Sequence, residues 1–249
     1  MENNTQLKEM IRSMVIDILQ GQKQEMASSQ PIKQAPRGQV EPGVFDTVDE
    51  AIQAAKAAQA RFEDCTLATR EKVIADIRAA MRPRVQELAQ KTVDETGMGR
   101  VADKVLKLNL TLNKTPGVED LVTECETGDN GMTLYELSAY GVIGAITPST
   151  NPAETLICNS IGMLAAGNAI FFSVHPGAKN LSRELVSELN QVIAKSIGIE
   201  NLIVTLREPS IESAQEMMLH PDVSLLVVTG GPGVVKQALQ SCLLYTSPS

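Results

Sequence analysis

The stretch that decides the fold runs from residue 140 to residue 240. It reads YGVIGAIT (140–147), PSTNPAETLICNSIGMLAAG (148–167), NAIFFSV (168–174), HPGAKNLSRELVSELNQVIAKSIG (175–198), NLIVTL (201–206), a short helical segment from Ile211 to Leu219, SLLVVT (224–229), and a glycine-rich turn into VVKQALQ (234–240). Four short apolar runs, rich in Val, Ile, Leu and Phe, alternate with segments that carry the helical period. Strands that are apolar on both faces belong to parallel sheets, and the intervening helices are long enough for right-handed crossovers. The expectation is an α/β domain.

Such a domain is a Rossmann-type parallel sheet with helices on both faces, and in sheets of that kind ligands bind at the carboxyl ends of the strands. Three polar strand ends therefore matter. Thr147, Pro148, Ser149, Thr150 and Asn151 follow the first strand and open a helix, whose exposed N–H groups suit an anion or a developing oxyanion. His175, Pro176 and Gly177 follow the second, where an imidazole can contact ribose hydroxyls or phosphate. Thr229, Gly230 and Gly231 follow the fourth and lead through Pro232 and Gly233 to Val234, a turn whose glycines let a pyrophosphate approach the backbone. Each stretch also has a plain reading, as an N-capped turn, a satisfied turn histidine or a tight turn. None matches GxGxxG or a Walker A loop. Three polar ends on one rim favour a nucleotide site.

Upstream, residues 46–120 carry a helical pattern. DTVDEAIQAAKAAQARF (46–62) places Ala51, Ile52, Ala55, Ala58 and Phe62 on one stripe, with Asp46 or Thr47 as cap. LATREKVIADIRAAMRPRVQELAQKTVDETG (67–97) follows, with a break expected at Pro83 and a stop at Gly97. Short β-prone stretches lie around Thr133 to Ala139.

The first twenty residues form a unit of their own. Leu7, Met10, Ile11, Met14, Val15, Ile18 and Leu19 recur at amphipathic-helix spacing, with Asn4 or Thr5 as cap and Lys8, Glu9, Arg12 and Asp17 on the polar face. Residues 21–43 are rich in Gln, Pro, Gly and Ser and read as a flexible linker. From the pattern alone, the tethered helix packs on its own chain or a neighbour, or docks in another protein's groove. A membrane-surface role fits less well, because the polar face is not rich in Lys and Arg.

Composition narrows the classes. The 249 residues carry a net charge of −8 with no basic block, and aromatics are 3% with no Trp, which argues against nucleic-acid binding. No apolar run is long enough to span a membrane. Four cysteines without a CxxC pair fit a reducing cytoplasm. Metal ligation is not expected, since His175 and His220 lie far from paired cysteines or clustered carboxylates.

TPSTNP (147–152), GNAIFFSVHP (167–176) and HPDVSLLVVTGG (220–231), preceded by VFDTVDEAIQAAKAAQARF (44–62) and VDETGMGR (93–100), resemble the aldehyde dehydrogenase superfamily. More narrowly, they resemble its CoA-acylating branch, found in ethanolamine- and propanediol-type bacterial microcompartments. The resemblance implies NAD-dependent oxidation of a short-chain aldehyde. A cysteine thiolate attacks the aldehyde, hydride passes to NAD, and coenzyme A cleaves the resulting thioester to acyl-CoA. It implies an oxyanion donor at Asn151 and cofactor contacts at Thr147, Pro148, Ser149, Thr150, His175, Pro176, Gly177, Thr229, Gly230, Gly231 and Val234. It also makes residues 4–20 similar to an encapsulation peptide that docks on shell or cargo proteins. A cytoplasmic enzyme inside a microcompartment, homo-oligomeric at full length, follows from the same resemblance.

The departures from the hydrolytic branch are specific. That branch carries Pro-Trp-Asn-Phe-Pro, whereas here Asn151 is three places after Pro148 and Thr150 stands in the Asn register. Lys-Pro-Ser-Glu is replaced by His175-Pro176-Gly177-Ala178, so dinucleotide binding leans on the backbone, in a groove open to NAD and the adenosine end of CoA in turn. Gly231 stands where Ser is common. Members run to nearly twice this length, so the expected parts are a docking helix (1–20), a linker (21–43), an incomplete NAD-binding domain (44–241) and a non-native tail (242–249). The nucleophile is expected beyond residue 249. Cys242 comes too soon after the glycine turn, and Cys65, Cys125 and Cys158 read as ordinary buried or semi-buried thiols. A fragment of this kind is expected to be inactive. A hydrolytic aldehyde dehydrogenase and a non-catalytic nucleotide-binding or shell-docking module remain the alternatives.

Overall fold

In the computed structural model of the chain, residues 41–241 are described; the helix expected at 1–20, most of the 21–43 linker and the 242–249 tail lie outside them. Five parallel strands make the main sheet: β1 (Val44–Phe45), β4 (Val142–Ile146), β5 (Ala169–Ser173), β6 (Ile203–Leu206) and β7 (Val223–Val228). Their spatial order is β1-β6-β5-β4-β7. Every residue of β4, β5 and β6 is buried, as such largely apolar runs require of strands covered on both faces. β7 lies at an edge and is only partly buried. β1, two residues long, is too short to give a sequence signal. It pairs with β6 through Val44 opposite Thr205 and Phe45 opposite Leu206.

The helices are α1 (Val48–Glu63), α2 (Leu67–Met81), α3 (Val85–Thr96), α4 (Val101–Lys114), α5 (Pro152–Ala165), α6 (Lys179–Ile197), α7 (Ile211–Leu219) and α8 (Pro232–Gln240). α1 and α7 pack on one face of the sheet. α5 and α6 cover the other, and α2, α3 and α4 pack against them in an outer layer. The stripe expected on α1 is the one buried, with Thr47 accepting the Glu50 N–H as cap. Pro83 breaks α2 from α3 through a single 3₁₀ turn, Arg82–Arg84, because proline cannot supply an interior N–H. Gly97 ends α3 in the left-handed conformation, φ 67°. Phe62, Phe171, Phe172, Ile77 and Leu156 are among the fully buried side chains. Burying a side chain of this size contributes about 1.5–3 kcal/mol.

Two expectations need correction. The fold begins before Val44: Glu41 accepts hydrogen bonds from Arg183 and Arg207, and the Gly43 carbonyl accepts the Thr205 N–H at 2.8 Å. Residues 41–43 are thus anchored to α6 and β6 and are not linker. The β-prone region is a hairpin, β2 (Glu124–Gly128) against β3 (Gly131–Tyr135), set earlier than residues 133–139. Its strands are exposed on both faces, so no buried–exposed alternation marked the register.

Candidate functional site

The chain steps from β4 to β5 to β6 in one direction and then returns to place β7 on the other side of β4. The strand order therefore reverses between β4 and β7, where an open α/β sheet leaves a crevice at its carboxyl ends. A cleft of about 830 Å³ lies there, within the range of small-molecule and cofactor sites. Ile146 to Asn151 border it from β4, Ser173 to Pro176 from β5, and Thr229 to Gly231 with Val234 from β7. The structure thus brings together Thr147, Pro148, Ser149, Thr150, Asn151, His175, Pro176, Thr229, Gly230, Gly231 and Val234. Gly177 is the exception. It does not border the cleft, and its N–H is used locally, donating to His175 Nδ1 at 3.0 Å.

That bond fixes the chemistry of His175. With Nδ1 accepting, the neutral ring carries its proton on Nε2 and is a donor there. The exposed ring caps its own turn and also borders the cleft. Thr147 is buried, and its Oγ1 has no hydrogen-bond partner within the protein. A hydroxyl at the end of β4 therefore stands ready for a polar ligand group.

Helix starts differ sharply around this rim. Glu95, from α3, accepts the N–H groups of Asn180 and Leu181 at 2.8 Å each, so the first turn of α6 is already occupied by a carboxylate. Ser210 and Ser213 close α7 with a reciprocal capping box. α5 and α8 have no side-chain cap, and each begins with proline. Their positive ends are the two left for an anion. A Cβ added at Gly231 would meet nothing within 4 Å, and one at Gly230 would meet only Val234, at 3.7 Å. The backbone at this turn is open to close approach.

Sequence reading missed two groups. Ser210, Ile211, Ala214 and Met218 of the α7 region and Gln237 of α8 add a largely apolar wall to the cleft. Lys104 and Lys107, on one face of α4, reach Asn151: each donates to its Oδ1 at 3.1 Å. Lys104 also donates to the Thr150 carbonyl and pairs with Glu154 at 3.5 Å. Nothing in the local pattern joins residues so far apart in the chain; the spacing of Lys104 and Lys107 was the one available sign.

The cysteines are more exposed than expected. Cys65 is half-buried, while Cys125 and Cys158 are exposed, the first on the open hairpin and the second on an exposed position of α5. None of these three borders the large cleft. Cys158 opens on a smaller hollow of about 380 Å³ beside Asn151 and Glu154. Among the described residues no group of three or more His, Cys, Asp or Glu is placed to hold a metal ion. None of their helices is long and apolar enough to cross a membrane.

Comparison with known proteins gives the context for this geometry. Residues 18–244 match the family described as "Aldehyde dehydrogenase family". The propanal dehydrogenase (CoA-propanoylating) of Salmonella typhimurium is 45% identical over 239 residues, 96% of this chain and 49% of that protein. A crystal structure of Rhodopseudomonas palustris propionaldehyde dehydrogenase, with bound CoA and an acylated cysteine, superposes with a TM-score of 0.79 at 48% identity. The match covers 81% of this chain and 46% of that one. A propionaldehyde dehydrogenase from the Clostridium phytofermentans fucose utilisation bacterial microcompartment gives 0.79 at 47% identity, over 81% of this chain and 46% of that one. The chain spans about half the length of the curated relatives it matches.

Proposed function

The chain belongs to the aldehyde dehydrogenase family, and from that premise we propose that it supplies the nucleotide-binding part of an enzyme that oxidises a short-chain aldehyde to its acyl-CoA with NAD. The observation that carries the reading is the cleft at the β4/β7 reversal, bounded by the two uncapped helix starts of α5 and α8. NAD fits these residues. The open Gly230–Gly231 turn at the start of α8 suits a pyrophosphate, the unpartnered Thr147 hydroxyl and His175 Nε2 suit ribose oxygens, and Ile211, Ala214 and Met218 suit a flat ring. When bound, the nicotinamide supplies the hydride acceptor.

Within this reading each residue has a task. Asn151, at the start of α5, offers its amide to the oxygen of the reacting aldehyde, where negative charge develops. The α8 start holds phosphate through the backbone, with no lysine or carboxylate required in the β5 turn. Such a groove suits alternate use by NAD and by the adenosine end of CoA, the second substrate. Cys65, Cys125 and Cys158 lie away from the large cleft, so none of these three is the nucleophile. With Cys242 set aside on its sequence surroundings, the 249-residue chain alone is expected to form no NADH. Residues 4–20 dock the enzyme on a microcompartment shell or cargo protein in the cytoplasm. The relatives' names, their bound CoA and acylated cysteine, and the microcompartment source of one of them support this reading.

The test uses the chain itself. In calorimetric titrations NAD and CoA each bind with one site, and saturation with one weakens the other in proportion to its concentration. Simultaneous, independent binding would refute a shared groove, and binding of neither would refute the nucleotide site. Deletion of residues 1–20 leaves those titrations unchanged and abolishes co-purification with shell proteins; retained co-purification overturns the docking role.

A further inference from the structure

The side chain of Lys104 is 4% exposed, and its partner Glu154 is 8% exposed. A buried ammonium is tolerated only when its charge and its three N–H donors are met. Three oxygens face it: the Thr150 carbonyl, Asn151 Oδ1 at 3.1 Å and Glu154 Oε1 at 3.5 Å. Neither Glu154 oxygen meets hydrogen-bond geometry with any group of the described protein, Lys104 included, so at ion-pair distance this carboxylate serves as the counter-charge of Lys104. Lys107, almost one turn further along α4, adds a second ammonium at 3.1 Å from the same Asn151 oxygen.

An amide held between two ammonium groups has one favourable orientation. Its oxygen faces them, and its NH₂ turns the other way. The partner of Asn151 Nδ2 within the protein is Thr150 Oγ1, at 3.5 Å, the limit of a hydrogen bond. We propose that Lys104 is a positioning residue: it locks the Asn151 amide so that the NH₂ is presented as a donor to the cleft, and its charge polarises that donor. This rests on the reading of Asn151 as the oxyanion donor. A buried ion pair is weak evidence for a stabilising purpose, because an apolar pair of similar volume often holds a fold equally well. Orientation of the amide is something an apolar pair cannot supply.

The test separates position from stability. Lys104→Met alone would strand the Glu154 charge, so the decisive variant is Lys104→Met with Glu154→Gln, compared with Glu154→Gln alone. The readout is the pair of Asn151 Nδ2 proton resonances in ¹H–¹⁵N spectra of the 249-residue chain, assigned by their loss in Asn151→Asp. In the unaltered chain and in Glu154→Gln the pair is sharp and well separated. In the double variant it shifts and broadens, while the thermal midpoint and the amides of the later turns of α5 match Glu154→Gln. An unchanged pair in the double variant overturns the proposal. A second measurement needs no variant: the Lys104 Hζ protons exchange slowly with water and cross-relax to Asn151, and fast exchange without cross-relaxation overturns the proposal by itself. Failure of the oxyanion reading shows elsewhere. In the complete gene product, Asn151→Ala would then keep its rate of aldehyde oxidation while the spectra still respond to Lys104. If both readings hold, the double variant lowers kcat by up to about 10²-fold, the scale of a small misplacement, and leaves KM for NAD unchanged.

Discussion

Replacing Gly231 by aspartate sets stability against binding at a single atom position. Gly231 is the N-cap of α8, with φ −74° and ψ 168°, an extended conformation open to any residue. Its added Cβ would meet no atom within 4 Å, so Gly231→Asp introduces no clash. Aspartate is a better N-cap than glycine by a few tenths of a kcal/mol, and its charge at the positive end of α8 adds about 0.3–1 kcal/mol. The variant is therefore at least as stable as the parent chain. Binding moves the other way, because the new carboxylate occupies the N–H groups offered to a pyrophosphate and repels its charge. Losing one charge-assisted hydrogen bond costs about 1.5–3 kcal/mol. Repulsion across a few ångströms at a surface site adds about 1 kcal/mol or more. The sum, about 2.5–4 kcal/mol, is a loss of roughly 60- to 700-fold in NAD affinity, at about 1.4 kcal/mol per tenfold. Gly231→Asn caps the helix without the charge and falls between the two. Calorimetry at two salt concentrations, with a thermal melt of each variant, reads all of these quantities. A stable Gly231→Asp chain that binds NAD like the parent would refute the placement of phosphate at α8.

Three further outcomes follow from other parts of the structure. Glu95→Ala leaves the Asn180 and Leu181 N–H groups without their carboxylate, and the melting curve should fall by the equivalent of about 1–2 kcal/mol; an unchanged midpoint would show that water caps α6 equally well. Glu87 is hydrogen-bonded first by Arg84 and then by Lys91, which hold its carboxyl down to about 2. A carboxyl depressed on folding stabilises the fold above its unfolded value, and that contribution fades as pH falls toward the folded value. Glu87→Gln should therefore flatten the acid limb of stability between about pH 4.5 and pH 2, and parallel curves for parent and variant would contradict this. In Gly144→Ala the new Cβ lies 2.2 Å from Met217 Sδ and 2.9 Å from Leu226 Cδ2, inside the covered centre of β4. Denaturant unfolding should show a loss of about 1–3 kcal/mol, and no loss would mean that Met217 moves aside freely.

How much of this was legible in the sequence depends on how local each signal is. β4, β5 and β6 were readable because burial on both faces leaves a run such as residues 169–172 without a polar side chain. Pro83 and Gly97 were readable because each acts through its own backbone. β1 was not, because Val44–Phe45 is held by partners on β6, and the adjoining Glu41 by Arg183 and Arg207, all far away in the chain. The rim of the cleft was legible as three polar strand ends, since topology alone sends them to one edge. The side chains that orient the rim were not. Lys104 meets Asn151 only because α4 packs on α5, and Glu95 reaches Asn180 only because α3 lies beside α6. Gly177, expected to contact the cofactor, lies off the cleft lining with its N–H donated to its neighbour His175, a local bond that the sequence did not signal.

The central claim is that this cleft serves oxidation of an aldehyde to an acyl-CoA. The most direct measurement is NADH formation by the complete gene product with propanal or acetaldehyde and NAD, with and without CoA. The account predicts turnover that requires CoA and yields one acyl-CoA per NADH. Turnover at the same rate without CoA, releasing free acid, would contradict it.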